Sequence, residues 1–149
     1  MTDTKAVIEG LNGLLEKTYD AEKGYKNARG NTEVLGLKTF FGARSQQRFQ
    51  YAAALKKEIL KLGGTPITEG SLVGKAHRAW IDFKSALAFS DEEAVLEECE
   101  RGEEASLEAY DEFLNTYKLS SDLAAELLKQ RNGIARSLDK VEMLEEVFD

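Results

Sequence analysis

The feature that most restricts the fold of this chain is a helical spacing of apolar residues along most of its length. In four segments, apolar side chains recur at intervals that alternate between three and four residues, which is typical of one buried helical face. Proline, which interrupts helices, occurs once in 149 residues, at Pro66. The sequence therefore predicts an all-α protein and disfavours a turn-rich sandwich or barrel.

Turn signals divide the chain into four long helices and a shorter one. Gly30 and then Asn31 or Thr32 end one helix and cap the next, and Gly63-Gly64-Thr65-Pro66 ends the second. Ser90 with Glu93 has the spacing of a capping box. The predicted helices run over about Thr4–Arg29, Glu33–Leu62, Leu72–Phe89 (the short one, capped by Ser71), from Ser90 to about Tyr117, and from the turn at Leu119–Asp122 to the C-terminus.

The connections predict how these helices pair. The first two long helices are joined by a tight turn, as are the last two, and short connections make antiparallel neighbours. The stretch Gly63–Ser90 is long enough to travel the length of the bundle and carries its own short helix. Two antiparallel hairpins joined by one long crossover form a ferritin-like four-helix bundle. A chain of this length fits one domain, residues 1–149.

Charge and composition narrow the choice of partners. The formal net charge is −7, whereas nucleic acids and anionic membrane surfaces require a basic footprint. No apolar run approaches the roughly 20 residues of a membrane span, and residues 1–5 lack a signal-peptide core. The single cysteine, Cys99, is expected to be a buried thiol. We therefore expect a cytoplasmic protein that binds neither nucleic acid nor membrane.

Two short motifs repeat in the first and third long helices. Glu22-Lys23-Gly24 is echoed by Glu100-Arg101-Gly102, and the antiparallel topology places both glutamates at the same level of the bundle. Glycine inside a helix costs about 1 kcal/mol relative to alanine, so these glycines predict close packing, with Trp80 of the short helix as one candidate neighbour. Glu22 and Glu103 fall on apolar lines, with Glu100 at the flank of its own. A buried carboxylate needs a partner.

Three surroundings for these carboxylates are compatible with the sequence. Ferritin-like di-iron proteins use two glutamates and two Glu-x-x-His motifs, but this chain has one histidine, His77, on the short helix. A degenerate site for iron or manganese, with carboxylate ligands only, would use Glu22, Glu100 and Glu103, with Glu142 as a further candidate. Alternatively, Arg44 and Arg131, which fall on apolar lines of the second and fourth long helices, could pair with the glutamates in a salt-bridged core. The glutamates could also extend into water.

Six runs of this sequence resemble one known family, and together they extend over nearly the whole chain. They are Leu11–Leu14, Asp20–Tyr25, Leu62–Gly64, Ala76–Trp80, Leu96–Glu103 and Ala109-Tyr110. In these runs the chain is similar to bacterial ferritin-like four-helix-bundle proteins of unknown function. The resemblance implies that fold and a bacterial cytosolic protein, and it implies no established activity.

The motif content favours a function without catalysis. The chain contains no phosphate-binding glycine loop after a strand, no nucleophile elbow and no Cys/His spacing of a zinc site. The leading hypothesis is a non-enzymatic bundle that acts through protein–protein contact, as a homodimer or with another protein. The rival is a metal-binding or redox protein that uses Glu22, Glu100 and Glu103. A small-molecule binder would require a sizeable apolar cavity between the helices.

Overall fold

The computed structural model describes residues 3–70, 83–86 and 91–149, and it confirms the all-α prediction. Within those residues four long helices are present: α1 (Thr4–Gly30), α2 (Leu35–Lys61), α3 (Glu92–Thr116) and α4 (Ser121–Phe148). Their ends lie within about two residues of the predicted ends, as the apolar spacing allows. Residues 83–86 are also helical, whereas most of the predicted short helix, including His77 and Trp80, lies outside the described residues.

The N-termini of three helices are capped by side chains, only some of which the sequence analysis identified. Asp3 accepts a hydrogen bond from the backbone N–H of Ala6 at 3.3 Å, and Ser120 accepts one from Leu123 at 3.3 Å. Asp91 caps α3 by accepting from Ala94 at 3.1 Å, one residue after the serine that the capping box predicted. That serine, Ser90, lies outside the described residues.

The start of α2 differs from the prediction. Val34 occupies the cap position and makes no side-chain cap, because the helix begins two residues later than expected. Thr32 instead holds the connection: its hydroxyl accepts from the N–H of Val34 at 3.2 Å and lies 3.3 Å from a Glu92 carboxylate oxygen on α3. At the other end of α2, Gly63 adopts a φ of 86°, and Gly64 donates to the carbonyl of Ile59 at 2.9 Å, which closes the helix.

The helices form the predicted pair of hairpins. α1 packs along α2 and α3 packs along α4, while α1 also contacts α3 and α2 also contacts α4. In the described part of the chain α2 and α3 therefore occupy diagonal corners. None of the described helices is both long and apolar enough to cross a membrane.

Two glycines bring the hairpins together, and they are not the glycines of the repeated motif. A Cβ atom on Gly10 of α1 would overlap the ring of Phe113 on α3, and one on Gly133 of α4 would overlap the Tyr51 hydroxyl on α2. Gly102, by contrast, is exposed and has no described atom within 4 Å of its Cβ position. Gly24 is buried, whereas the described residues provide no close packing at Gly102; the proposed neighbour, Trp80, lies outside them.

The buried apolar side chains of the described residues form two clusters along the bundle axis. The larger core cluster fills the end that contains the start of α1, and the smaller core cluster fills the opposite end. Buried polar side chains, including Thr18, Ser106 and Ser137, are interspersed with them. The larger cluster comprises Val7, Leu11, Leu14, Leu15, Tyr51, Ala52, Leu55, Ile59, Tyr110, Phe113, Leu123, Leu127 and Ile134; the smaller comprises Tyr25, Ala28, Leu37, Phe41, Phe83, Val95, Leu96, Cys99 and Val141.

Candidate functional site

An ion pair lies in the interior of the bundle. Arg48 of α2 donates to Glu103 of α3 through both ends of its guanidinium, with Nη1 2.7 Å from Oε1 and Nη2 2.5 Å from Oε2. The two side chains are 1% and 2% exposed. Burial alone would lower the pKa of Arg48, but the charge of Glu103 outweighs it and raises that pKa. The pair is therefore charged, bidentate and screened from water.

Polar side chains of α4 extend the ion pair across the bundle. Arg48 Nε donates to Gln47 Oε1 at 3.2 Å, and Arg44 Nη1 donates to the Ser137 hydroxyl at 3.2 Å. Tyr110 Oη donates to Gln130 Oε1 at 2.6 Å, and burial raises the pKa of Tyr110. We call Arg48, Glu103, Tyr110, Gln130 and Ser137 the polar layer. Its hydrogen bonds tie α2, α3 and α4 together.

The arginines in the structure differ from those expected beside the core glutamates. Glu103 is paired with Arg48, one helical turn beyond Arg44. Arg131 instead pairs with Asp111 at 2.8 Å, with both side chains about a third exposed or more. Arg44 and Arg48 both fall on the apolar line of α2, seven residues before Tyr51 and seven after Phe41 respectively. The spacing therefore makes both arginines candidates for the partner of Glu103. The axial register of α2 relative to α3 determines which of them reaches it.

A second group of carboxylates lies between α3 and α4, and we call Glu97, Glu100, Glu142 and Glu145 the carboxylate seam. Burial, then the charge of Glu100 and a hydrogen bond to it, raises the pKa of Glu145 to about 7. Glu97 and Glu142 add further negative charge. The pKa of Glu142 is also raised, by desolvation and then by Glu100. The sequence placed Glu145 on an apolar line but did not pair it with Glu100.

The three expected metal ligands have different surroundings. Glu103 belongs to the polar layer, and Glu100 belongs to the carboxylate seam. Glu22 is half-buried on α1, where its backbone carbonyl accepts from the Ser45 hydroxyl at 3.0 Å. Across residues 3–70, 83–86 and 91–149, no group of three or more His, Cys, Asp or Glu side chains is arranged to hold one metal ion.

Cys99 and Tyr25 occupy the same end of the interior. Both belong to the smaller core cluster. Burial and then the charge of Glu103 raise the pKa of the Cys99 thiol well above its usual range, and the same two causes raise the pKa of Tyr25. A thiol held in its neutral form is a poor nucleophile, which agrees with the expected buried thiol.

The carboxylate seam predicts an unusual pH dependence of stability. Because the pKa of Glu145 in the folded protein, about 7, exceeds its ordinary 4.5, the folded state binds more protons between those values. The stabilisation from this site is complete at low pH and is lost as the pH rises through about 7. Glu145→Gln should therefore raise Tm at pH 8 by a few degrees, which corresponds to about 1 kcal/mol after allowance for solvent screening.

Thermal melts between pH 5 and pH 8 test this expectation. The gain from Glu145→Gln should shrink as the pH falls, because the wild-type carboxyl becomes neutral as well. The same substitution at Glu108, an exposed residue of α3, is the matched control and should leave Tm nearly unchanged. A gain from Glu145→Gln that is equal at both pH values would contradict the raised pKa of Glu145.

Comparisons with known proteins agree with the fold. A structure from Bacillus anthracis str. Ames, described as ferritin like, diiron-carboxylate proteins, is 25% identical, with a TM-score of 0.71, and the match covers 100% of this chain and 99% of that chain. A dodecameric thioferritin from Bacteroides fragilis, a bacterioferritin-related protein, is 18% identical, with a TM-score of 0.65, over 99% of this chain and 92% of that chain.

Sequence comparison identifies the family. No curated protein matches this chain. Residues 6–116, which contain nearly all of α1 and the whole of α2 and α3, match the family described as Domain of unknown function (DUF2383). The matched part includes both members of the buried ion pair, Arg48 and Glu103. The chain therefore belongs to the DUF2383 family, whose fold in this protein is that of a ferritin-like helical bundle.

Proposed function

We propose that this protein is a non-enzymatic ferritin-like bundle that acts through contacts with other protein chains, and that its ion pair replaces a di-iron centre. The observation that carries the proposal is the bidentate contact of Arg48 with both carboxylate oxygens of Glu103. In di-iron members of the fold, inward-projecting carboxylates bind the metals. A guanidinium here supplies the positive charge that such a carboxylate requires.

The donor set of the core does not fit a di-iron centre. A cation bound at Glu103 would compete with Arg48 for both carboxylate oxygens and would be repelled by its charge. Two Glu-x-x-His motifs would need two histidines, and the whole chain has one. These features support a structural role for the polar layer, in which the ion pair fixes how the helices pack.

Exposed apolar side chains support a role in protein contact. Leu35 and Leu60 of α2 and Val147 of α4 are 76%, 63% and 73% exposed. Single exposed apolar residues are common, but several on one helix face favour an interaction surface. The Bacteroides fragilis structure is described as dodecameric, which also favours association of bundles of this fold.

The rival proposal is a carboxylate metal site for iron or manganese that uses Glu22, Glu100 and Glu103. Two observations favour it: the Bacillus anthracis structure is described as diiron-carboxylate, and the carboxylate seam concentrates negative charge beside Glu100. It would require Glu103 to leave Arg48 and Glu22 to reach the other two carboxylates. The cost of leaving the buried guanidinium unpaired makes this the weaker proposal.

Metal analysis and thermal melts distinguish the two proposals. We expect the purified protein to hold no stoichiometric metal and its Tm to be unchanged by Fe²⁺ or Mn²⁺. A bound ion at a hundred times its Kd would instead add about 2.7 kcal/mol to the free energy of unfolding. A rise in Tm that is lost in Glu22→Ala and in Glu100→Gln, but retained in the control Glu108→Gln, would establish the rival.

A further inference from the structure

The outward face of α2 carries large apolar side chains in one line. Phe49 is 54% exposed, and Leu35 and Leu60 are more exposed still. Phe49 follows Leu35 by 14 residues and precedes Leu60 by 11, which are close to four and three full turns of an α-helix. We call Leu35, Gln46, Phe49, Ala53 and Leu60 the α2 outer face. All five are exposed and lie within a narrow angular range of the helix.

This face differs from the rest of the chain in charge. The protein contains 27 Asp and Glu residues, yet none occurs between Glu33 and Glu58, the stretch that forms most of α2. Two basic side chains near the C-terminal end of α2 contact neighbouring residues. Lys56 lies over the Tyr19 ring of α1 at 5.7 Å, and Lys61 pairs with Glu58 at 3.3 Å. Lys57 is exposed beside the face, and the Arg29 side chain of α1 lies against Gly42 within its angular range. The face therefore combines large apolar side chains with an absence of carboxylates, in a protein that is acidic as a whole.

The same pattern makes the face complementary to itself. If two α2 helices are placed antiparallel about a two-fold axis near residues 47 and 48, Leu35 of one faces Leu60 of the other, and Gln46 faces Phe49. A two-fold interface needs one patch that matches its own inverse, without opposed like charges. Because no carboxylate occurs between Glu33 and Glu58, most of α2 presents no acidic side chain to a second copy of this chain, whose net charge is −7.

We propose that the protein forms a homodimer through the α2 outer face, with the two α2 helices antiparallel. α2 has 27 residues and is therefore roughly 40 Å long. A stable dimer buries about 800 Å² on each partner, which a strip about 20 Å wide along α2 would supply. Neighbouring helices lie 8–10 Å apart, so that strip takes in the flanks of α1 and α4.

This dimer rests on the proposed function, because it names a second copy of the chain as the contact partner. The two can fail separately. If the protein is a metal-free monomer, the dimer proposal fails, and contact with a different protein remains as the proposed function. If the protein is a dimer that binds iron, the proposed function fails and the dimer interface stands. The metal analysis above and the mass measurement below are independent readouts.

Sedimentation equilibrium of the full chain measures the association. We expect a dimer at micromolar concentration, and Phe49→Glu should weaken it by roughly a hundredfold or more, because two central aromatic anchors are replaced by buried charges. Leu128→Glu is the matched control: Leu128 of α4 is 51% exposed, nearly as much as Phe49, but lies outside the α2 outer face. That variant should remain a dimer, and both variants should keep the helical circular dichroism spectrum of the wild type, which shows that each is folded.

Disulfide trapping tests the orientation. Cys99 is the only cysteine and is buried, so cysteines introduced on the surface can be oxidised without competition. A mixture of Leu35→Cys and Leu60→Cys proteins should form mainly the mixed dimer under oxidising conditions. A wild-type monomer at every concentration, or mainly like-with-like disulfides, would overturn the proposal. A third result would also overturn it: wild type and Phe49→Glu are both monomers, and Phe49→Glu is much less stable than wild type. The α2 outer face would then be packed against another part of the same chain.

Discussion

Replacement of Arg48 by methionine should lower the free energy of unfolding by about 3–5 kcal/mol. Methionine approximates the length of the arginine stem, but it leaves the Glu103 carboxylate buried without its partner. An unpaired charge at a site only 2% exposed cannot be hydrated without opening the core. For a protein of this size the loss corresponds to a fall of roughly 6–20 °C in Tm, measurable by circular dichroism.

Two further variants separate the cost of the unpaired charge from general disruption. Arg48→Met combined with Glu103→Leu should recover most or all of the lost stability, because apolar groups of similar volume often replace a buried ion pair without cost. Arg101→Met removes an exposed arginine paired with Glu98 at 2.6 Å and should cost at most about 1 kcal/mol. A double variant no more stable than Arg48→Met alone would show that the loss comes from packing and not from charge.

Gly133→Ala should destabilise the protein relative to Gly102→Ala by about 1–3 kcal/mol. Both glycines lie inside helices, so alanine gives each the same gain of about 1 kcal/mol in helix propensity. At Gly102 no described atom opposes the new methyl group, and the variant should be more stable than wild type. At Gly133 the methyl group overlaps the Tyr51 hydroxyl, so either the buried Tyr51 ring or the two helices must shift.

Removal of the opposing hydroxyl identifies the cause. In a Tyr51→Phe background, Gly133→Ala should cost less than in the wild type, because the nearest ring atom, Cζ, lies 3.2 Å from the new Cβ. Urea titration of the wild type, the two single variants and the double variant gives the coupling free energy between positions 51 and 133. Equal effects of Gly133→Ala in both backgrounds would mean that Tyr51 does not set the helix spacing.

The sequence determined the elements of the fold more closely than the contacts between them. Apolar spacing predicts which face of each helix is buried, and turn residues such as Gly30 and Gly63 mark where helices end. The family resemblance and the long connection after Gly63 together gave the ferritin-like fold, which the structural matches support. These features depend on local sequence, and local sequence is available without a structure.

The site depended on the axial register between helices, which the sequence does not contain. A shift of one turn decides whether Arg44 or Arg48 meets Glu103, and both satisfy the same spacing. The interaction of Glu145 with Glu100 likewise depends on the axial register of α4 relative to α3, so the sequence did not predict it. The glycines that set the helix spacing, Gly10 and Gly133, were missed because a glycine in a helix does not indicate what lies opposite it.

The division of the core into two clusters has a consequence for native-state fluctuations. Cooperativity in a bundle depends on apolar contacts that are continuous from one end to the other, whereas here the Arg48–Glu103 pair lies among the buried residues. Among the described residues, the smaller cluster, which includes Cys99, has fewer large side chains than the larger one. Its end of the molecule is the natural place for sub-global opening at a free energy below that of complete unfolding. The inert thiol of Cys99 would then become reactive only in molecules that have opened there, so its rate of labelling would report the opening equilibrium of that end alone.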